Sequence, residues 1–204
     1  MMDKFTVYLV DDDVGVLKAP SRLLRAGGYE VKSYARPQEF LDQHDPAIPG
    51  CAVLDVAMPS LDGLELQQAL TAGGSYRPII FITGKGDVPT SVRAMKAGAV
   101  DFLTKPTKDT DLLEAIRRAQ NREAEVRQRS SELESIEAKI RTLTPREREV
   151  LSHVVAGRLN KQIAGDLGTV EKTIKVHRSR MMEKLGVRTV ADLVRLAEKA
   201  QISK

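Results

Sequence analysis

The chain has 204 residues, of which 42% are hydrophobic, 29% charged and 4% aromatic, with a net charge of +4, a composition typical of one or two globular domains. No apolar run approaches the roughly 18 residues of a membrane span, and the start of the chain lacks the long apolar region of a secretory signal, which excludes both. The single cysteine, Cys51, excludes an internal disulfide and a multi-cysteine zinc site and predicts a reducing cytoplasm, while the missing tryptophan argues against single-strand nucleic-acid binding by stacking.

The first half of the chain alternates short apolar runs with helical patterns. Strands are predicted at residues 5–10, 30–34, 51–54, 78–83 and 100–104. Helices are predicted near residues 14–26, 36–44, 63–71 and 88–97, and a further helix begins near Asp109. Strands that each precede a helix form a parallel sheet covered on both faces, so we predict an α/β domain with a doubly wound five-stranded sheet over residues 1–120. Pro20, inside the first helix, removes a backbone donor and predicts a kink.

The stretch from Leu112 to Leu143 contains no glycine or proline and is rich in helix-favouring residues. Apolar residues recur every seven positions, at Ala119, Val126, Leu133 and Ile140, whereas the second seam position carries Glu123, Ser130 and Glu137. We therefore predict a long helical linker over residues 121–141. A weak coiled coil and a solvated single helix are both open, because only one of the two seam positions is apolar.

Residues 142–204 contain no strand pattern and predict a small all-α domain of four helices. Thr144, Pro145 and Glu147 form a helix start with a capping box, and Gly157 ends that helix. Further helices are predicted at about 160–167, 171–185 and 189–200. A short helix, a turn and a longer basic helix make a helix-turn-helix arrangement, whose second helix enters the DNA major groove.

Charge is distributed unevenly along the chain. Residues 1–120 hold 14 basic and 16 acidic residues, residues 121–141 hold 5 of each, and residues 142–204 hold 13 basic and 7 acidic residues. In the longer basic helix, Lys172, Lys175, Arg178 and Ser179 share one broad face, from which basic side chains would reach phosphates and base edges. A charged helix face is often merely solvated, but a surplus of +6 confined to this segment favours a DNA-binding surface.

Polar side chains follow the ends of four predicted strands. They are Asp11, Asp12 and Asp13 after the first strand, Asp55 at the end of the third, Thr83 at the end of the fourth and Lys105 after the fifth. In a sheet of order 2-1-3-4-5, ligands bind at the carboxyl ends of strands 1 and 3, where the strand order reverses. Clustered carboxylates suit Mg²⁺, and Lys105 and Thr83 would stabilise a phosphoryl group. Each residue alone is more commonly a helix cap or a solvated side chain, whereas the set predicts a phosphoryl site.

The strand-end residues belong to longer motifs, namely Val10-Asp11-Asp12-Asp13, Leu54-Asp55 with Met58-Pro59 and Asp62-Gly63, Thr83-Gly84, Ala94-Met95-Lys96-Ala97-Gly98-Ala99 and Lys105-Pro106. Over residues 4–120 these motifs resemble the flavodoxin-like receiver domain of a bacterial two-component response regulator. The resemblance implies that Asp55 accepts a phosphoryl group from a phosphohistidine on a sensor histidine kinase. It also implies that Asp12, Asp55 and the backbone carbonyl of Ala57 ligate Mg²⁺, with Asp11 acting mostly through water. Thr83 and Lys105 would hold the phosphoryl oxygens, and Phe102 would be the switch aromatic.

Three motifs of the tail are Leu143-Thr144-Pro145-Arg146-Glu147-Arg148-Glu149-Val150-Leu151, Asn160-Lys161-Gln162-Ile163-Ala164 and Thr173-Ile174-Lys175-Val176-His177-Arg178. They resemble a LuxR-type DNA-binding domain over residues 142–200, and with the receiver they resemble the NarL/FixJ class of response regulators. The resemblance implies base contacts by Lys175, Val176 and Ser179. It makes Lys161, Thr173 and Arg178 candidates for contacts to the DNA backbone. Val170 stands where a serine usually caps the second helix, and Thr169 is expected to substitute.

Together these features predict a cytoplasmic transcriptional regulator controlled by phosphorylation, and not an enzyme. Phosphorylation of Asp55 would act through Thr83 and Phe102 and pair two molecules through the fourth helix, fifth strand and fifth helix. Double-stranded DNA and RNA polymerase are expected partners, and no membrane contact is expected. An Mg²⁺-dependent phosphatase or phosphotransferase acting on small molecules is the alternative, although the sequence offers no substrate lid and no general base. A DNA-binding protein whose receiver is only a dimerisation scaffold is a third interpretation, against which the complete acidic set argues.

Overall fold

Five short apolar runs rich in β-branched residues form the strands of the first part of the chain. The computed structural model describes residues 5–74, 76–84 and 88–201, and its strands are β1 (Thr6–Val10), β2 (Glu30–Tyr34), β3 (Gly50–Asp55), β4 (Ile79–Thr83) and β5 (Asp101–Thr104). All neighbouring strands are parallel and their order is β2-β1-β3-β4-β5. The predicted doubly wound sheet and its strand order are therefore confirmed.

A helix follows each strand, and the helices of this part are α1 (Val14–Ala26), α2 (Pro37–Gln43), α3 (Gly63–Ala72), α4 (Val88–Lys96) and α5 (Asp109–Arg141). Local chemistry sets their starts, because Asp13 accepts a hydrogen bond from the backbone of Gly15 and caps α1. Asp62 and Glu65 form a capping box at the start of α3. Pro20 lies inside α1, which nevertheless continues to Ala26.

Side chains alternate along the strands and divide the core of the first part between the two faces of the sheet. On one face Tyr8 of β1 packs against Phe40 of α2, with ring centroids 5.5 Å apart. On the other face Leu9 of β1 belongs to a cluster that includes Leu24 of α1 and Ile116 of α5. Because helices cover both faces of the sheet, a ligand can reach it only at the strand ends.

The second part of the chain contains α6 (Pro145–Val155), α7 (Asn160–Asp166), α8 (Glu171–Leu185) and α9 (Val190–Lys199). Its core includes the fully buried Ile163 of α7 with Ile174 and Met181 of α8. The turn after α7 contains Gly168 with φ of +59°, a left-handed conformation that favours glycine. The predicted helix-turn-helix is thus formed by α7 and α8. Across the described ranges of the whole chain, no helix has the length and hydrophobicity needed to cross a bilayer.

Helix α5 is continuous over the residues predicted as a helical linker. The chain divides into two units, Met1–Val126 and Arg127–Lys204, so the division falls inside α5. The first turns of α5 contribute to the core of the first unit, whereas Ile136 and Ile140 belong to the core of the second. Of the apolar positions with seven-residue spacing, Val126 is half-buried and Leu133 is 41% exposed. Neither of these two residues belongs to the hydrophobic core of a unit.

Candidate functional site

The parallel register brings two of the predicted acidic residues together. Val10 of β1 is paired with Leu54 of β3, so the next residue of each chain segment, Asp11 and Asp55, lies at the same edge of the sheet. Both aspartates are only 7% exposed. Buried carboxylates require compensating donors or cations, which makes their surroundings informative.

Lys105 supplies the positive charge at this edge. Its Nζ donates to Asp11 Oδ2 at 2.6 Å and to Asp55 Oδ1 at 2.7 Å. The remaining oxygens are also engaged, since Asp11 Oδ1 accepts from the backbone of Asp13 at 2.9 Å and Asp55 Oδ2 accepts from the backbone of Ala57 at 2.7 Å. The carboxylate of Asp55 is therefore held in a fixed orientation by one ammonium and one backbone N–H group.

The pKa of Lys105 reflects two opposing effects. Burial alone would lower it, because a charged ammonium loses solvation. The hydrogen bonds to Asp11 and Asp55 and the charges of both carboxylates outweigh burial, and the pKa of Lys105 is raised above its usual value. Lys105 therefore stays protonated and keeps its charge beside Asp55.

Thr83 and Phe102 lie on the neighbouring strands. Thr83 ends β4, is almost completely buried, and accepts a hydrogen bond from the backbone of Lys105 through its carbonyl oxygen at 2.7 Å. Phe102 in β5 is half-buried against Phe81, with ring centroids 6.1 Å apart. The register pairs Phe81 with Phe102 and Thr83 with Thr104, so the switch candidates occupy adjacent strands close to Lys105.

The oxygen donors at this edge fit a hard divalent cation. Carboxylate oxygens of Asp11 and Asp55 already converge on one cationic group, and Mg²⁺ is typically bound by one or two carboxylates with waters. Asp12 and Ala57 are exposed beside them, and Asp12 forms no hydrogen bond or ion pair with the residues described. Within the described ranges, no three acidic, histidine or cysteine side chains converge to enclose a metal. The two converging carboxylates, with Asp12 next to Asp11 in the chain, are oxygen donors of the type that Mg²⁺ prefers.

A cavity of about 320 Å³ adjoins the three charged side chains. Asp11, Asp55 and Lys105 are among its lining residues, and the other lining residues are mainly apolar, including Pro20 and Leu23 of α1. The three charged side chains therefore border a space that other side chains do not fill.

Gly63 leaves room for the backbone of Asp55, a steric role that the sequence motif did not reveal. A Cβ atom at this position would lie 2.4 Å from the carbonyl oxygen of Asp55 and 3.1 Å from the ring of Phe81. The backbone of Gly63 also donates to the carbonyl oxygen of Val56 at 3.1 Å. A larger residue would displace the segment that carries Asp55, so the requirement for glycine is steric.

The predicted DNA-contacting residues lie on α7 and α8. Four of them have exposed side chains, namely Lys161, Lys175, Val176 and Ser179. The other two, Thr173 and Arg178, are half-buried. Arg178 Nη1 donates to Asn160 Oδ1 at 2.9 Å and thereby joins α8 to the start of α7. The exposed side chain of Val176 offers an apolar surface of the kind that contacts a thymine methyl group.

One feature of α8 differs from the prediction made from the sequence, and a second was not predicted. Val170 is its N-cap without a side-chain hydrogen bond, and within the described residues Thr169 supplies none either, so the expected substitution by Thr169 is wrong. Lys175 forms an ion pair with Glu171, with Nζ and Oε1 3.0 Å apart. The four-residue spacing of an acid and a base on a helix is the signal that could have predicted this pair.

Comparison with known proteins assigns both parts of the chain to families. Residues 7–117 match the response regulator receiver domain, and residues 141–197 match the LuxR family of bacterial regulatory proteins. The chain is 41% identical over 200 residues to nodulation protein W of Bradyrhizobium diazoefficiens, covering 98% of this chain and 88% of that protein. It is 41% identical over 196 residues to the transcriptional regulatory protein FixJ of Rhizobium meliloti, covering 96% of each chain.

A solved structure resembles the whole chain. The response regulator StyR is 47% identical and superposes with a TM-score of 0.85, covering 96% of this chain and 99% of that one. The resemblance therefore extends over both units and is not confined to the receiver.

Proposed function

The chain belongs to the two-component response regulators of the NarL/FixJ class, which join a receiver domain to a LuxR-type DNA-binding domain and regulate transcription, and on this premise we propose that Asp55 is its phosphoacceptor. The observation that carries the proposal is the convergence of Asp11, Asp55 and Lys105 at the carboxyl end of the sheet. The domain limits we propose are residues 1–120 for the receiver, 121–141 for the linker and 142–204 for the DNA-binding domain.

In the proposed reaction, a carboxylate oxygen of Asp55 attacks the phosphorus of a phosphohistidine on a sensor histidine kinase. The P–N bond breaks, the imidazole nitrogen leaves with the bonding electron pair, and an aspartyl phosphate forms. The Lys105 ammonium lies beside Asp55 and would stabilise a phosphoryl oxygen, as would the hydroxyl of Thr83. The chain itself contributes the acceptor and these donors.

We assign the metal of this site as Mg²⁺, which Asp12, Asp55 and the backbone carbonyl of Ala57 would hold directly and Asp11 mostly through water. When bound, the metal would neutralise charge on the incoming phosphoryl group. Asp11 and Asp55 supply the converging carboxylates on which this assignment rests. Asp12, the exposed residue that follows Asp11 in the chain, would supply the third.

Phosphorylation would bias a two-state receiver through Thr83 and Phe102, and pair two molecules through α4, β5 and α5. The support for this face is that Val88, Val92 and Met95 of α4 are exposed apolar side chains, which commonly mark an interaction surface. Two DNA-binding domains would then engage two half-sites of double-stranded DNA. RNA polymerase is the further partner of such a regulator, and the cytoplasm is its proposed location.

For DNA recognition we propose base contacts by Lys175, Val176 and Ser179, which are exposed on α8. Lys161, Thr173 and Arg178 would contact the DNA backbone. This division places the base-reading side chains on the longer helix of the helix-turn-helix, as expected for a recognition helix in the major groove.

Asp55→Asn tests the assignment, because it removes the nucleophile while preserving side-chain shape. Incubation with acetyl phosphate and Mg²⁺ should label the wild-type chain and leave Asp55→Asn unlabelled, while Asp42→Asn, an exposed surface change, should label normally. Labelling of Asp55→Asn at the wild-type rate would contradict the proposal. Release of phosphate from unrelated esters, without labelling of the protein, would favour a phosphatase.

A further inference from the structure

We infer that Glu171 determines DNA sequence specificity together with Lys175, by accepting a hydrogen bond from a cytosine amino group in the major groove. The inference rests on the proposed function of α8 as a recognition helix and adds a residue that was not among the expected DNA contacts. Its starting observation is an acidic side chain on a surface that would face a polyanion.

Glu171 is the first residue of α8, and its carboxylate is paired with Lys175 one turn later. The two charged atoms are 3.0 Å apart, and the Lys175 and Glu171 side chains are 63% and 45% exposed. Recognition helices contact base edges mainly through their N-terminal residues. Glu171 therefore lies in the part of α8 closest to the bases, on the same side as a residue expected to read them.

A carboxylate in this position opposes binding to DNA unless it meets a donor. Phosphate oxygens and the acceptor groups of guanine repel it, whereas cytosine presents an amino group in the major groove that Asp and Glu side chains accept from. Lys175 has the opposite requirement, because an ammonium binds the O6 and N7 atoms of guanine. The pair thus matches cytosine and guanine on the same or neighbouring base pairs.

The pair also discriminates against random DNA. An exposed ion pair of this kind is weak and can exchange for contacts to DNA. On a random sequence Lys175 must leave Glu171 to reach a phosphate, which leaves the carboxylate beside the negatively charged backbone without a donor. On a matched sequence both groups find partners, so Glu171 penalises mismatched sequences more than matched ones.

The chain offers a matched control for removing this charge. Glu149 on α6 is also exposed and also forms an ion pair, with Arg146 Nη1 at 2.7 Å. Glu171→Gln and Glu149→Gln therefore make the same change of net charge in the same domain and each remove one exposed ion pair. Only the first lies on the recognition helix, so a difference between them reports the position and not the charge.

The test selects sequences from a random duplex DNA library with the full-length chain treated with acetyl phosphate and Mg²⁺. Selected and random duplexes are then titrated with each variant. Glu171→Gln should lose the preference for cytosine at one position of the selected motif and reduce the ratio of selected to random affinity about tenfold. Glu149→Gln should retain the wild-type motif and ratio. Lys175→Ala should lose guanine at the same or the adjacent base pair.

Three results separate the possible failures. A motif and affinity ratio for Glu171→Gln equal to those of Glu149→Gln would overturn the inference while leaving the proposed function intact. If Glu171→Gln and Lys175→Ala lose base preference at widely separated positions of the motif, the two residues do not contact the same or neighbouring base pairs, which would overturn the inference that they act together. Absence of any selected motif for the wild-type chain would contradict the proposed function and the inference together. Thermal unfolding of each variant checks that the fold is unchanged.

Discussion

At the scale of single residues, Lys105 is the group on which the acidic site depends. Its ammonium contacts both Asp11 and Asp55, and those carboxylates are almost completely buried. Removing one member of a buried charge group leaves the others without compensation, which costs more than the original interactions contributed. Lys105 therefore stabilises the carboxylates of the receiver, in addition to the proposed stabilisation of a phosphoryl oxygen.

Lys105→Met should lower the free energy of unfolding of the receiver at pH 7 by about 1–3 kcal/mol, because it leaves buried carboxylate oxygens without a donor. Since Asp11 and Asp55 raise the folded pKa of Lys105, the contribution of the ammonium is fully present below its unfolded pKa near 10.4 and is lost as the pH rises through the folded value. Denaturant unfolding at neutral and at alkaline pH measures this, with the exposed Lys108→Met as control. A difference between wild type and Lys105→Met that does not shrink in alkali would contradict the explanation.

Glu147 has a comparable role in the DNA-binding domain. Its side chain is 3% exposed, accepts from Lys184 Nζ at 2.7 Å and accepts from the backbone of Thr144 at 2.9 Å. The hydrogen bond from Lys184, assisted by those from Thr144, holds the pKa of Glu147 below its usual value despite burial. The ionised carboxylate thus stabilises both the start of α6 and its contact with α8.

Glu147→Gln should lower the stability of the second unit by about 1–3 kcal/mol at pH 7, since it weakens hydrogen bonds to a charged group. Because the folded pKa is lowered, this stabilisation is complete above the unfolded pKa near 4.3 and disappears as the pH falls through the folded value. The difference between wild type and variant should therefore close in acid. Glu149→Gln, at an exposed ion pair, should change stability by less than about 0.5 kcal/mol, and an equal effect of both substitutions would refute the role of burial.

At the scale of elements, helix α5 has two kinds of apolar positions. Ile136 is buried in the core of the second unit, whereas Leu133, less than one turn before it, is largely exposed. A spacing of three residues puts both on the same side of the helix, so the sequence pattern alone does not distinguish them. Only packing distinguishes a residue used by a domain core from one left for a partner helix.

Ile136→Ala should destabilise the second unit by about 2–4 kcal/mol, because it removes buried methyl groups and leaves a cavity. Leu133→Ala should have little effect on the unfolding of an isolated chain. Calorimetry of the two full-length variants provides the comparison. Equal effects would mean that the two residues act as a unit and that Ile136 is not a core residue of the DNA-binding unit.

The elements themselves were largely predictable, for identifiable reasons. Strand ends and helix starts follow from apolar runs and caps such as Asp62 and Thr144, and the parallel sheet fixes which strand ends meet. The partners of charged side chains were harder to predict from the sequence. The contact between Arg178 and Asn160 joins residues 18 positions apart, and the cap expected from Thr169 depends on a loop conformation that composition does not determine.

At the scale of the whole molecule, the proposed mechanism couples two modules through dimerisation. A single recognition helix makes few base contacts, so one domain should bind DNA modestly. Two domains held together make the second contact intramolecular, which can raise avidity by roughly 10²–10⁴. Such coupling is reciprocal, so DNA with two half-sites should also promote dimerisation of the phosphorylated chain.

The most direct measurement is a titration of duplex DNA carrying two selected half-sites with the full-length wild type and Asp55→Asn, each with and without acetyl phosphate and Mg²⁺. The wild-type chain should gain at least about tenfold in affinity on phosphorylation, and the gain should vanish on DNA with one half-site. Asp55→Asn should bind alike in both conditions. A gain in Asp55→Asn equal to that of the wild type, or no gain in the wild type, would contradict control of DNA binding through Asp55.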